Sequence, residues 1–130
     1  MIVLDASVVV ELLVKGVLSD AIATELAQLQ ESFIVPHLID VEVVSALRRM
    51  AAGKRLDIPY TEHLLERLRT FPAERYAHTP LLDRIWELRR NFTAYDAAYI
   101  ALAEVTDSVL FTCDQKLCAG HRARVVLFAS

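Results

Sequence analysis

The sequence predicts an α/β fold with a mostly parallel central sheet of four or five strands, covered by helices on both faces. Two observations favour this class. The chain contains several short apolar, β-branched segments, and between them lie longer segments in which apolar residues recur at helical spacing. Strands separated by helices are joined by right-handed crossovers, which build a parallel sheet between two helical layers. No repeat or linker interrupts the pattern, so residues 1–130 are expected to form one domain.

The N-terminal part of the chain predicts a strand, two helices and a second strand. Ile2–Leu4 is short and apolar, and either Asp5 or Ser7 after it can cap a helix that starts near Val8. Apolar residues at spacings of four and three indicate the second helix, and a proline is expected to stop the second strand. These two elements are a helix from Ser19 to about Glu31 and a strand over Phe33–Val35 before Pro36.

Helices dominate the middle of the chain. Helical spacing of apolar residues, interrupted by glycine and proline, predicts four of them, from His37 to about Met50, Tyr60 to Thr70, Pro80 to Arg90 and Tyr95 to Val105. The segment Asp57–Pro59 is expected to be a turn, and Arg75–His78 a short strand. The last helix is apolar nearly all round, which predicts that it is buried.

Two strands with a helical turn between them are predicted near the C-terminus. They are Val109–Thr112 and Val125–Phe128, and the turn covers about Gln115–Cys118. In open sheets of this kind, ligands bind beyond the carboxyl ends of the strands, where the strand order changes direction. Asp5 and Asp114 both follow predicted strands, so their carboxylates are expected to meet if the first strand and Val109–Thr112 are neighbours.

Composition limits the class of protein. Hydrophobic residues make up 55% of the chain, which is high for a small soluble protein and hints at an interface. A net charge of −3 does not by itself indicate nucleic-acid binding. If four acids held two divalent cations, however, the net charge would be about one positive unit, and the basic residues could face a polyanion.

No apolar run reaches the length of a membrane span, and acidic residues stand where a signal peptide would be basic and apolar. The sequence therefore predicts a cytoplasmic protein with no membrane contact. Cys113 and Cys118 match neither a zinc ribbon nor a C-x-x-C redox motif and are expected to be packing thiols.

Four acids are candidates for a divalent-metal site, namely Asp5, Glu42, Asp96 and Asp114. Three have structural alternatives, since Asp5 can cap a helix, Asp96 can form a capping box with Thr93, and Asp114 suits a turn. Glu42 is predicted to lie in mid-helix on an apolar face, which favours function over a solvated surface. Oxygen-only ligands suit Mg²⁺ or Mn²⁺. No phosphate-binding loop, G-x-S-x-G or H-E-x-x-H motif is present.

Four segments carry a resemblance to a known family. They are Ile2–Ser7, Glu42–Arg49, Tyr95–Ala103 and Leu110–Leu117. In order and spacing they resemble the PIN-domain ribonucleases, and among them the VapC toxins of toxin–antitoxin pairs. The resemblance implies a PIN-like three-layer α/β/α sandwich and Mg²⁺- or Mn²⁺-dependent cleavage of RNA, with tRNA and rRNA loops both open as targets. It also implies a homodimer and a cognate VapB-type antitoxin, with DNA contacted only indirectly through the antitoxin.

The resemblance assigns roles by position. Asp5, Glu42, Asp96 and Asp114 match the family's acidic quartet, and the supporting hydroxyl positions match Ser7 and Thr112. Ser45 departs from the asparagine often found at its position. In this scheme, the metal would activate a water molecule for in-line attack on a phosphodiester.

Residues close in sequence to the acids are weak candidates for contact with RNA phosphates. They are Arg48, Arg49 and Lys116. Two rival functions remain. A receiver or aspartyl-phosphatase domain also places an aspartate after its first strand, although a D-x-D motif would need an acid at Ser7. A catalytically silent PIN-like module would bind RNA or a partner without cutting, but then an acidic quartet would only repel a polyanion.

Overall fold

The computed structural model describes residues 1–129, which contain a five-stranded sheet. The strands are β1 (Ile2–Leu4), β2 (Phe33–Pro36), β3 (Ala73–Tyr76), β4 (Val109–Thr112) and β5 (Val125–Leu127). All four pairings are parallel and give the order β3-β2-β1-β4-β5. The predicted parallel sheet is confirmed, and the strand order changes direction between β1 and β4.

Six α-helices connect the strands within the described residues. They are α1 (Ala6–Val14), α2 (Ser19–Leu29), α3 (Ile39–Ala52), α4 (Ile58–Arg69), α5 (Leu82–Glu87) and α6 (Ala94–Val105). Helix α1 contacts α2, α3 and α4, whereas α6 packs against α5 and against β1, β2 and β4. The architecture is the predicted three-layer α/β/α sandwich. None of these helices within residues 1–129 has both the length and the apolarity that a bilayer span requires.

Helix α6 forms much of the core. Its residues from Ala97 to Ala103 are all buried, with the largest side chain, Tyr99, only 1% exposed. The prediction that this apolar helix is buried is confirmed. A helix can be apolar on every side only where neighbours cover every side, and α6 has the sheet below it and α5 beside it.

Several predicted boundaries were wrong by a few residues, because local caps and strand pairs set them. Helix α1 starts at Ala6 rather than near Val8 since Asp5 itself is the N-cap. The second strand was expected to end before Pro36, but Pro36 is the last residue of β2 and pairs with Tyr76.

The same holds for three later elements. Asp57 caps α4, so Ile58 and Pro59 belong to its first turn and not to a separate turn. Strand β3 lies at Ala73–Tyr76, two residues earlier than predicted, in register with β2. The predicted helix from Pro80 to Arg90 is a 3₁₀ turn over Thr79–Leu81 followed by the short α5.

Part of the basic surface is used for ion pairing. Arg84 on α5 donates two hydrogen bonds to Glu104 on α6, at 2.7 and 3.1 Å. Burial alone would raise the pKa of Glu104, but these bonds and those from Arg122 lower it below its ordinary value. Similarly, Arg75 forms a two-pronged ion pair with Asp40, with both bonds 2.8 Å long. These arginines connect elements of the fold.

Candidate active site

The carboxyl ends of β1 and β4 lie side by side. The two strands are paired in register, Leu4 with Phe111, and the backbone N–H of Asp5 donates to the carbonyl oxygen of Phe111 at 3.1 Å. Asp5 and Asp114 therefore leave adjacent strands at the same edge of the sheet. The expectation that these strands are neighbours is confirmed.

Asp5 is the most buried of the four acids, with 6% exposure. One carboxylate oxygen, Oδ1, accepts hydrogen bonds from the Ser7 hydroxyl and from the backbone N–H of Val8, and the other accepts one from the Thr112 hydroxyl. Asp5 therefore caps α1 and faces the site at the same time. Of the two candidate caps, Asp5 is the one that caps the helix, and Ser7 donates to Asp5 instead.

The hydroxyls of Ser7 and Thr112 each bridge two chain segments. Thr112 Oγ1 accepts the N–H of Asp114, and Ser7 Oγ accepts the N–H of Cys113, both at 2.9 Å. Each hydroxyl thus donates a hydrogen bond to the Asp5 carboxylate and accepts one from a backbone N–H just after β4. This network holds the Asp5 carboxylate against the end of β4.

Glu42 reaches the site from the first turn of α3. The prediction of a mid-helix position was wrong, since α3 begins only at Ile39. Its carboxylate oxygen Oε1 accepts a hydrogen bond of 2.7 Å from the hydroxyl of Tyr99, 57 residues away on α6. Tyr99 was missed in the sequence, although a hydroxyl inside an otherwise apolar helix is a signal, because buried phenols need partners.

Asp96 and Asp114 complete the set. Asp96 lies in the first turn of α6, where its backbone N–H donates to the Thr93 hydroxyl at 3.1 Å. Thr93 is therefore the helix cap, which is its role in the predicted capping box. Asp114 caps the 3₁₀ turn over Gln115–Cys118 by accepting the N–H of Lys116 at 3.0 Å, as its structural alternative predicted. The Lys116 ammonium lies 3.8 Å from the other Asp114 oxygen.

Burial and mutual repulsion raise the pKa of three of these acids. Burial is the largest cause for Asp5, Glu42 and Asp96. The negative charge of Asp96 raises the pKa of Asp5 and Glu42 further, and that of Asp114 raises the pKa of Asp96. Hydrogen bonds from Ser7, Thr112 and Tyr99 act in the opposite direction without cancelling the effect. The four acids thus share one electrostatic environment, in which nearby positive charge does not compensate their negative charges.

Comparison with known proteins identifies the family. The family model of the PIN domain matches residues 2–121. The chain is 42% identical to Ribonuclease VapC9 of Mycobacterium tuberculosis over 117 residues, which cover 90% of this chain and 88% of the relative. It is 34% identical to Ribonuclease VapC12 of the same species, covering 99% of this chain and 100% of the relative. This chain belongs to the PIN-domain family. Its VapC relatives make it a VapC-type member.

Solved structures agree on the fold. PAE2754 from Pyrobaculum aerophilum, with 25% identity, superposes with a TM-score of 0.74 over 95% of this chain and 81% of the other. The structure of VapBC2 from Rickettsia felis bound to a promoter DNA fragment gives 0.73 at 14% identity, covering 98% and 99% of the two chains. At 14% identity, the likeness to VapBC2 concerns the fold alone.

The donor chemistry of this PIN domain fits a hard divalent cation, because its four acids offer oxygen ligands only and their shared charge is uncompensated. Within residues 1–129, however, no three acidic, histidine or cysteine side chains converge closely enough to coordinate an ion as they stand. Glu42, Asp96 and Asp114 are all partly exposed. Asp5, Glu42, Asp96 and Asp114 are the residues that would hold such an ion.

A cleft of about 470 Å³, named here the acidic cleft, opens beside the acids of the PIN domain. Its lining includes Ser7 and Glu11 from α1, Glu42 and Arg49 from α3, and Asp114. Glu11 was not predicted as part of the site, and its carboxylate accepts the N–H of Leu18 at 3.1 Å.

The candidate phosphate contacts separate in space. Arg49 lines the acidic cleft, and Lys116 lies beside Asp114. Arg48 instead lines an apolar hollow between α3 and α4. Adjacent residues of a helix point about 100° apart, so neighbours in sequence face different surfaces. This placement supports Arg49 and Lys116 as candidates and does not support Arg48.

Proposed function

We propose that this chain is a divalent-metal-dependent endoribonuclease that acts in the cytoplasm as the toxin of a VapBC-type toxin–antitoxin pair. One observation carries the proposal. Asp5, Glu42, Asp96 and Asp114 come from four separate segments of the chain, yet they form one electrostatically coupled group at the point where the strand order changes direction. The relatives VapC9 and VapC12 are named ribonucleases, which supports the same activity here.

The four carboxylates would hold Mg²⁺ or Mn²⁺. When bound, such an ion supplies Lewis acidity, which activates water towards a phosphodiester and offsets charge on the departing oxygen. Asp5 is the fixed ligand, since three hydrogen bonds restrain its carboxylate. Tyr99 orients Glu42 from the buried side. Arg49 and Lys116 would contact the phosphates on either side of the scissile bond.

The substrate proposed is a structured RNA with an accessible loop, from tRNA or rRNA. Sequence-specific recognition of RNA mostly concerns unpaired nucleotides, whose bases are free to leave the helix stack. A VapB-type antitoxin and a second copy of the chain are the proposed protein partners. DNA would be contacted only through the antitoxin.

An apolar hollow of about 510 Å³ between α3 and α4 is the proposed seat of an antitoxin helix. Val44 and Ile58 in its lining are 44% and 61% exposed, so a partner that covers them would gain apolar burial. An amphipathic helix laid into a groove is a common way to cover such a surface.

The test of catalysis uses Asp96→Asn, which removes one negative charge without changing the size of the side chain. Purified wild type should cleave RNA in Mn²⁺ or Mg²⁺ but not in excess chelator, and Asp96→Asn should be inactive while keeping its circular dichroism spectrum. Equal cleavage by both proteins would contradict the catalytic assignment. Binding of RNA by wild type without any cleavage would favour the silent binding module.

A further inference from the structure

A second hollow, of about 300 Å³, lies beside the acidic cleft, and the proposed chemistry uses only Glu42 and Arg49 of its lining. Its lining consists of Val41, Glu42, Ser45 and Arg49 from α3 and Tyr95 from α6. Glu42 and Arg49 also line the acidic cleft. The cleft and this hollow, named here the Tyr95 hollow, are therefore neighbours that share one wall.

The Tyr95 hollow presents apolar surface to solvent. Tyr95 is 63% exposed and Val41 is 70% exposed. Packing within the chain therefore does not account for the tyrosine, which immediately precedes Asp96 at the start of α6. A phenol ring offers a flat face on which a nucleobase can stack, and such stacking accepts any base because every base has a π-face.

Arg49 is held at the boundary between the cleft and the hollow. Its Nη1 donates a hydrogen bond of 3.0 Å to the hydroxyl of Ser45, one turn earlier on α3. Among the residues that the structure describes, no carboxylate lies within ion-pair distance of Arg49. Its positive charge is therefore available to an outside anion, and Ser45 restrains where that anion would sit.

We infer that the Tyr95 hollow is a nucleotide subsite, in which Tyr95 stacks on an unpaired RNA base and Arg49 contacts the phosphate that connects this nucleotide to the acidic cleft. The inference rests on the proposed ribonuclease function. It adds to that function the residue that contacts a base, because a stacking face and one phosphate contact favour an unpaired nucleotide over a duplex, whose bases are already stacked.

The first experiment measures binding of two fluorescein-labelled probes of equal length, oligoadenylate and an abasic oligoribonucleotide, in the inactive Asp96→Asn background. Tyr95→Ala should weaken oligoadenylate binding about 5- to 150-fold, which corresponds to the ~1–3 kcal/mol of one base–aromatic stack. Tyr95→Phe should restore it to within about twofold, because phenylalanine also stacks. Tyr60→Ala, which removes a partly exposed tyrosine on α4, is the matched control and should bind as the parent does.

The abasic probe separates stacking from a structural role. Tyr95→Ala and its parent should bind this probe equally, since the ring has no base to contact. Equal weakening on both probes would overturn the subsite, as would unchanged binding of oligoadenylate by Tyr95→Ala.

The second experiment compares adjacent arginines. Arg49→Gln should weaken both probes and reduce the slope of log affinity against log salt by about 0.7, the value for one phosphate of a single strand. Arg48→Gln should leave the slope unchanged, because Arg48 lines the hollow between α3 and α4. Equal slopes for Arg49→Gln and Arg48→Gln would overturn the phosphate contact.

Cleavage kinetics distinguish failure of the subsite from failure of the proposed function. In otherwise wild-type protein with Mn²⁺, Tyr95→Ala should raise KM for RNA while kcat changes little, because stacking contributes equally to substrate and transition state. If wild type cleaves RNA and Tyr95→Ala has the same KM, the subsite is wrong and the ribonuclease proposal stands. If wild type neither binds oligoadenylate nor cleaves RNA, both are wrong.

Discussion

Tyr99→Phe is the most direct test of how the fold orients the site. The substitution removes one hydroxyl and keeps the ring, so it leaves no large cavity in the core. Only the 2.7 Å hydrogen bond to Glu42 is lost. Hydrogen bonds to charged groups contribute about 1.5–3 kcal/mol to stability. Because Glu42 is partly exposed and water can replace part of the bond, we expect the lower value, about 1.5 kcal/mol.

This free energy converts to a measurable melting shift. At about 2.1 cal/mol/K per residue, unfolding of 130 residues has an entropy near 0.27 kcal/mol/K, so a loss of about 1.5 kcal/mol lowers Tm by about 5 °C. The Tyr99 hydrogen bond lowers the pKa of Glu42. Its contribution is therefore present while Glu42 is ionised and is lost as pH falls through the pKa of that carboxyl.

A second measurement concerns the metal. Partners that orient metal ligands typically change metal affinity about 10- to 100-fold, so Tyr99→Phe should weaken Mn²⁺ binding by at least about tenfold in calorimetry. At saturating Mn²⁺ this removes about 1.4 kcal/mol of metal stabilisation, or about a further 5 °C. Tyr60→Phe on α4 is the control. The reasoning is refuted if Tyr99→Phe matches Tyr60→Phe in both metal-free Tm and Mn²⁺ affinity.

Three further predictions concern the charges of the site and the oligomeric state. Glu42→Gln should raise Tm of the metal-free protein near pH 7, reduce the stabilisation by Mn²⁺ and abolish cleavage, and a less stable variant with an unchanged Mn²⁺ shift would make Glu42 a structural residue. In the folded protein the pKa values of Asp5, Glu42 and Asp96 lie above their ordinary values of 3.8, 4.5 and 3.8. The contribution of these carboxyl groups to the free energy of unfolding should therefore be present at low pH and lost as pH rises through the raised pKa values. Urea melts of the metal-free protein between about pH 4 and 7 can check this. The chain should be a homodimer, and a monomer mass by light scattering at micromolar concentration would contradict this.

Two causes raise the pKa values of Asp5, Glu42 and Asp96. Repulsion among the carboxylates contributes, but burial is the larger cause for all three acids. A sequence shows that acids lie in apolar segments, but the degree of desolvation depends on what packs over them.

The sequence by itself determined the alternation of strands and helices, the burial of α6 and the position of Asp5 and Asp114 after strands. These features depend on local periodicity and capping, which act over a few residues. The adjacency of β1 and β4 could be stated only as a condition, since strand order is a property of the whole sheet.

Only the tertiary structure decided which side chains meet. Tyr99 and Glu42 are 57 residues apart, and Thr112 and Asp5 are 107 apart, so no local pattern relates them. The structure likewise separated Arg49, beside the acids, from Arg48, beside α4. The physical reason is that a hydrogen bond requires placement within a few tenths of an ångström, and packing between distant segments sets positions at that scale, whereas periodicity defines only the face of an element.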